Sequence, residues 1–128
     1  RANPTATTCC ARSTSSPSSF NKGIITTMII RTVLVKLNDQ WSTDAGRASV
    51  AAHSQTTLRS IPGVASADAL VPADEPSLAS WDLIFLVRFD SMDAVEPYRI
   101  HPIHTSFLSD YLNPKAAIKK AWNWNTEP

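Results

Sequence analysis

At 128 residues, 43% of them hydrophobic, this chain is long enough for one domain with a modest core and too short to need two. Its formal charge of +1 hides an asymmetry: Arg1, Arg12 and Lys22 have no acidic counterpart before residue 28, whereas the remainder carries nine basic against eleven acidic residues. Basic residues in that remainder are scattered, which excludes the stripe of a nucleic-acid-binding face, and no apolar run approaches the ~20 residues that cross a bilayer.

Residues 1–27 are rich in Ser and Thr, lack acids and show no hydrophobic periodicity. Such a composition cannot supply a core, and three origins stay open: a disordered tail, an organelle transit peptide, or a vector-derived leader or mis-called start ahead of Met28. The folded domain is expected over residues 28–126, in a soluble, cytoplasmic protein, or in an organelle if the tail is a transit peptide. Cys9 and Cys10, the only cysteines, both fall in the tail, so neither a disulfide framework nor a cysteine zinc site can serve the core.

Ile29 to Leu37 is rich in β-branched residues, with Val33, Val35 and Leu37 on one face and Ile30, Thr32 and Leu34 on the other. Both faces are apolar, the pattern of a strand buried on both sides. Turn chemistry at Asn38-Asp39-Gln40 precedes a helix capped by Ser42 or Thr43 and running to about Ser60, with Ala45, Ala48, Ala52 and Leu58 expected inward. Ile61-Pro62-Gly63 ends it. Val64 to Val71 reads as a second strand, Pro72 to Ser80 as a surface loop, and Trp81 to Phe89 as the strongest strand, central in the sheet. Asp90 or Ser91 caps a short helical piece that Pro97 should limit or kink. Ala116 to Trp124 alternates as a fourth strand, and the run from Lys115 to Lys120 reads as a solvated face. The order β-α-β-β-α-β is the split βαβ, ferredoxin-like α+β arrangement, a four-stranded antiparallel sheet with helices on one face. Strands apolar on both sides then need a cover for the bare face, which a second copy could provide.

The stretch from Tyr98 to Leu112 concentrates the chemistry. Pro102 fixes its own φ and pushes His101 out of the helical region, so His101 is a natural cap and Pro102 the first helical residue. His104, Phe107, Leu108, Tyr111 and Leu112 form one helical stripe, ended by Asn113-Pro114. A histidine on such a face is ordinarily a hydrogen-bonded packing residue. His104 stands out because it lies near a helix N-terminus, whose positive end keeps the ring neutral and able to act as a base. Tyr98 can donate to a substrate oxygen or hold a histidine tautomer; its bland alternative is an edge-of-core tyrosine. A metal held by His101, His104 and His53 is the rival, weakened by the role of His101 as a cap and by the lack of a nearby carboxylate. No metal or cofactor is expected, and with three glycines and no Gly-rich loop neither is nucleotide chemistry.

The HPxH sequence at His101 to His104 preceded by Tyr98, together with the strand from Met28 to Leu37, the Ile61-Pro62-Gly63-Val64 turn and the strand from Trp81 to Phe89, resembles the stress-responsive A/B barrel family over roughly Ile30 to Trp124. The resemblance implies a homodimer in which two sheets pack face to face as a dimeric α/β barrel. It also implies one of two functions: binding of an apolar or carbonyl-bearing small molecule, or, as in the family's plant polyketide cyclases, an intramolecular aldol-type condensation. In the latter, Tyr98 and His104 fall on the catalytic tyrosine and histidine, the histidine abstracting an acidic proton and the tyrosine polarising the reacting groups. Two features depart from the cyclases: Pro97 immediately precedes Tyr98, leaving the direction of its hydroxyl open, and Arg31 and Leu83 stand where other pocket histidines would be.

Overall fold

The structure is a computed structural model and describes residues 28–127; the expectations for the tail, Cys9 and Cys10 included, lie outside these residues. Four strands, β1 (Ile29–Leu37), β2 (Ser66–Leu70), β3 (Leu83–Phe89) and β4 (Ala116–Asn125), form one sheet in the order β2-β3-β1-β4. Every neighbouring pair is antiparallel. The long helix α1 (Asp44–Arg59) and the helical segment that follows β3 cover one face, as the ferredoxin-like reading expected.

Alternation builds the core. Leu83, Phe85, Val87 and Phe89 of β3 and Ile29, Val35 and Leu37 of β1 are buried beneath the helices, joined by Val50 and Leu58 of α1. Burying such a side chain contributes roughly 1.5–3 kcal/mol. The strand expected from Trp81 starts at Leu83, because Asp82 turns fully inward instead.

Asp82 is the fold's polar anchor. Its carboxylate accepts from the Leu37 amide at 2.8 Å, the Ser42 hydroxyl at 2.7 Å and the Arg47 guanidinium at 3.1 Å, tying β1, the first loop and α1 to the start of β3. Burial pushes this carboxyl up, but the bonds from Ser42, Leu37 and Arg47 together outweigh it and hold the group below the usual carboxylate range.

Thr43 caps α1 by accepting from the Gly46 amide at 2.9 Å. The inward row corrects the sequence reading: Ala45, Ala48 and Ala52 are exposed, while Gly46, Val50, Ser54 and Leu58 face the sheet, flanked by Arg47 and Ala51. Close approach sets this rotation, since a Cβ on Gly46 would stand 2.2 Å from the Trp41 carbonyl oxygen. Gly63, at φ 92°, supplies the left-handed residue of the turn after α1.

The segment expected as a plain loop from Pro72 to Ser80 contains a short helix, α2 (Glu75–Ser80), which Asp74 caps by accepting from the Ser77 amide at 3.0 Å. Pro76 lies in its first turn, where a missing N–H breaks no bond. The same reasoning explains why Pro97 does not stop the next piece. A 3-10 turn (Met92–Ala94) runs into α3 (Val95–Arg99), and Pro97 sits within its first turn.

Among the described residues no helix layer covers the opposite sheet face. Ile118, Trp122, Trp124 and Leu70 are exposed there, with Leu34, Ile84 and Leu86 half-buried between them. Among the described residues no helix is long and apolar enough to cross a membrane.

Candidate functional site

The chain after α3 folds as its residues dictate. His101 adopts φ −63°, ψ 138° and accepts the Ile103 amide hydrogen on Nδ1 at 3.1 Å, so the imidazole is itself the cap of α4 (Pro102–Ser106). Pro102 opens the helix, as expected. From Phe107 to Leu112 the helix widens into a π turn, which the sequence did not announce, closed by the Asn113 amide reaching back to the Leu108 carbonyl at 2.8 Å. Such turns recur at functional sites. This one keeps Phe107 and Leu112 buried against the sheet, with Leu108 and Tyr111 half-buried.

Between this helical segment and the sheet lies a cavity of about 170 Å³. Val33, Phe85, Phe107 and Leu112 form its apolar walls, and its polar lining includes Tyr98, His104, Arg31 and Lys119. The structure therefore brings together the two residues singled out in the sequence, with ring centroids 4.4 Å apart. Tyr98 is only 1% exposed and stands edge-on to Phe89 at 5.0 Å. Pro97 has not turned it away from the pocket.

His104 is held by its backbone. Nδ1 lies 2.9 Å from the Arg99 carbonyl, which can only accept, so Nδ1 carries the proton and Nε2 is the basic nitrogen of a ring lining the cavity. Burial lowers the pKa of this imidazole; the bond to the Arg99 carbonyl acts the other way, and the charges of Arg31, Lys119 and Arg99 lower it further. The ring is thus a neutral base, with burial rather than the helix end as the main cause. Burial likewise pushes the Tyr98 phenol up to about 12, against a smaller opposite pull from Arg31. At neutral pH the phenol is protonated, a hydrogen-bond donor beside a base.

Arg31, from the helix-facing side of β1, donates from Nη1 to Asn123 Oδ1 at 2.9 Å, its directly paired residue on β4. Lys119 lies on the same side of β4, two alternations earlier. Of these three, the resemblance had placed Arg31 at a pocket-histidine position without giving it a role, and Lys119 and Asn123 were not assigned to the site in advance. The signal was present in the shared parity of Arg31, Lys119 and Asn123, but the lysine run was read as solvated surface.

His101 and His53 stand apart from this chemistry. His101 spends its lone pair on the cap, and His53, exposed on α1, stacks on Tyr111 with centroids 3.9 Å apart. Among the described residues no cluster of three or more His, Cys, Asp or Glu is placed to hold a metal ion.

An antiparallel ferredoxin-like sheet roofed on one side, with a tyrosine-histidine pocket under the roof, defines the class of small α+β barrel domains. The chain belongs to the stress responsive A/B barrel domain family, whose model matches residues 29–118. No curated protein matches it. Solved structures share the fold. A family protein of ferredoxin-like fold from Mesorhizobium loti is 21% identical, with a TM-score of 0.65 over 77% of this chain and 95% of its own. A dimeric ferredoxin-like protein of unknown function from Thermobifida fusca is 17% identical, with a TM-score of 0.64 over 84% and 99%. A protein of Arabidopsis thaliana is 16% identical, with a TM-score of 0.63 over 75% and 92%.

Proposed function

We propose that this chain is a homodimeric domain that binds a small carbonyl-bearing molecule in the pocket under α4, with His104 as general base and Tyr98 as hydrogen-bond donor to the substrate oxygen. The observation that carries this reading is the fixed tautomer of His104 in a cavity it shares with the Tyr98 phenol. A neutral imidazole can take a proton from carbon next to a carbonyl, and a buried phenol can stabilise the oxygen on which the resulting charge develops. Carried further, the carbanion would attack a second carbonyl of the same molecule, the aldol-type ring closure of a polyketide cyclase. A second reading, binding without turnover, is favoured by size: the cavity of about 170 Å³ falls short of the ~300–1,000 Å³ of sites for drug-sized ligands. A longer chain would have to extend through the mouth.

The dimer is supported by the outer sheet face, where Ile118, Trp122 and Trp124 crowd on one strand. Apolar exposure of that density is characteristic of an interface.

Solvent deuterium exchange separates the two functional readings. Incorporation into the α-carbon of short methyl ketones, followed by NMR, should exceed the buffer rate with the native protein and fall by ~10²–10⁴-fold in His104→Ala. Exchange at the buffer rate across the ketones, with ligand-induced shifts at Tyr98 still seen, would leave binding alone.

A further inference from the structure

The pocket contains charge that no carboxylate among the described residues neutralises. Among the described residues its lining includes Arg31, Lys119 and Lys120 but no aspartate or glutamate. Elsewhere the arginines have carboxylate partners: Arg47 with Asp44 and Asp82, Arg59 and Arg88 with Asp68, Arg99 with Glu96. Arg31 is the exception among the described arginines. Its contact is the neutral amide of Asn123, which fixes the guanidinium against β4 while leaving its charge and its remaining N–H donors uncommitted. A half-buried cation held in place by a neutral side chain is costly to keep beside further cations and apolar walls, and the cost is recovered when an anion enters.

From this arrangement we propose that the pocket's ligand is an anion, a small oxo-carboxylate whose carboxylate is received by Arg31 with Lys119 as a second positive charge, while its carbonyl lies toward Tyr98 and His104. The planar guanidinium suits a carboxylate because it can offer two parallel N–H donors. Lys119 reaches the same cavity from β4, on the strand face it shares with Asn123 and opposite Val35, two alternations along the sheet from Arg31. Burial lowers the pKa of both cations, most directly marking them as partly withdrawn from water. The proposal deepens the carbonyl-binding reading and rests on the same pocket, but it does not depend on His104 acting as a base.

The test compares oxo acids with their own methyl esters, which keep the carbonyl and the carbon skeleton but lose the charge. Acetoacetate, levulinate and 5-oxohexanoate, each with its ester, are titrated into the native protein and followed by NMR shifts of the Tyr98 and His104 ring signals. The acids should bind more tightly than the esters by on the order of ten- to a hundredfold, the value of one charge-assisted contact. Arg31→Gln should remove most of the acid preference, Arg31→Lys should restore part of it, and Lys119→Gln should reduce it less. His104→Ala should abolish exchange chemistry yet keep the acid preference, so loss of the base reading is seen separately from loss of this one. Acids binding no better than their esters in the native protein, which includes no binding by either, would overturn the proposal. So would an acid preference that survives Arg31→Gln at full strength.

Discussion

Removing the carboxylate of Asp82 tests the account of the fold most sharply, because this fully buried group joins three segments through three hydrogen-bond partners held by its two oxygens. Asp82→Ala strands the Leu37 amide, a buried donor whose desolvation costs about 1–3 kcal/mol when unpaired. It also deprives Arg47 of its inner partner, although Asp44, at 2.6 Å, remains as an outer one. Breaking a buried pair costs roughly 3–5 kcal/mol, and the surviving Asp44 contact places the expected loss near the lower end, about 3 kcal/mol. Asp82→Asn retains one acceptor and should lose about 1–3 kcal/mol. Urea unfolding followed by tryptophan fluorescence, at one protein concentration because dimerisation would shift the apparent stability, should show the Ala variant's midpoint lowered by about 1–3 M. The pH dependence gives an independent reading. A carboxyl held below its unfolded value, about 3.9, contributes its full stability above that value and loses it as pH falls through the lower folded one. The gap between native and Asn proteins should therefore be constant at neutral pH and close below about pH 4. A loss under about 0.5 kcal/mol, or a gap as wide at about pH 3 as at pH 7, would refute the reasoning.

The lowered pKa of His104 makes it a base over a wider range, so the acid limb of any exchange reaction should lie below the ordinary imidazole value of about 6.5; a limb above it would contradict the burial account. His101→Ala removes a cap but no pocket wall, and should cost about 0.5–2 kcal/mol in urea unfolding with exchange rates unchanged. Trp122→Lys should dissociate the proposed dimer in sedimentation at micromolar concentration while the far-ultraviolet circular dichroism is kept. Gly46→Ala forces a methyl against the Trp41 backbone and should lower stability by at least about 1–3 kcal/mol by thermal melting, despite alanine's better helix propensity.

Where residues act locally, their chemistry was readable in advance. Pro102 constrains itself and its neighbour, so the cap at His101 followed from two residues alone. The meeting of Tyr98 with His104 came from resemblance, since the turn between α3 and α4 that brings them together has no spacing rule of its own. Other features depended on tertiary context. Alanines carry too little preference to fix a helix's rotation, and the inward row of α1 was settled by Gly46 meeting Trp41 and by Arg47 reaching Asp82. The π turn has no residue signature. Alternation told which strand face holds Arg31 and Lys119, but whether that face met water, helix or cavity was decided by where Phe107 and Leu112 came to rest.

The pairing of β1 with β4 works as a reading frame. On one side Arg31 meets Asn123; on the other the Trp124 indole donates to the Thr32 hydroxyl at 2.8 Å. Neighbouring residues of β4 thus belong to different tasks, Lys119 and Ala121 to the cavity and Asn123 to the arginine that lines it, Ile118, Trp122 and Trp124 to the outer surface. A slip of a single position would exchange the two inventories, driving tryptophans into the pocket and leaving its cations on the face that needs to be greasy. Each of the two cross-strand bonds rejects that slip from its own side of the sheet. An insertion or deletion anywhere in β4 should accordingly damage ligand binding and self-association together, whereas substitutions at Lys119 or Ala121 should touch the first and those at Trp122 or Trp124 the second.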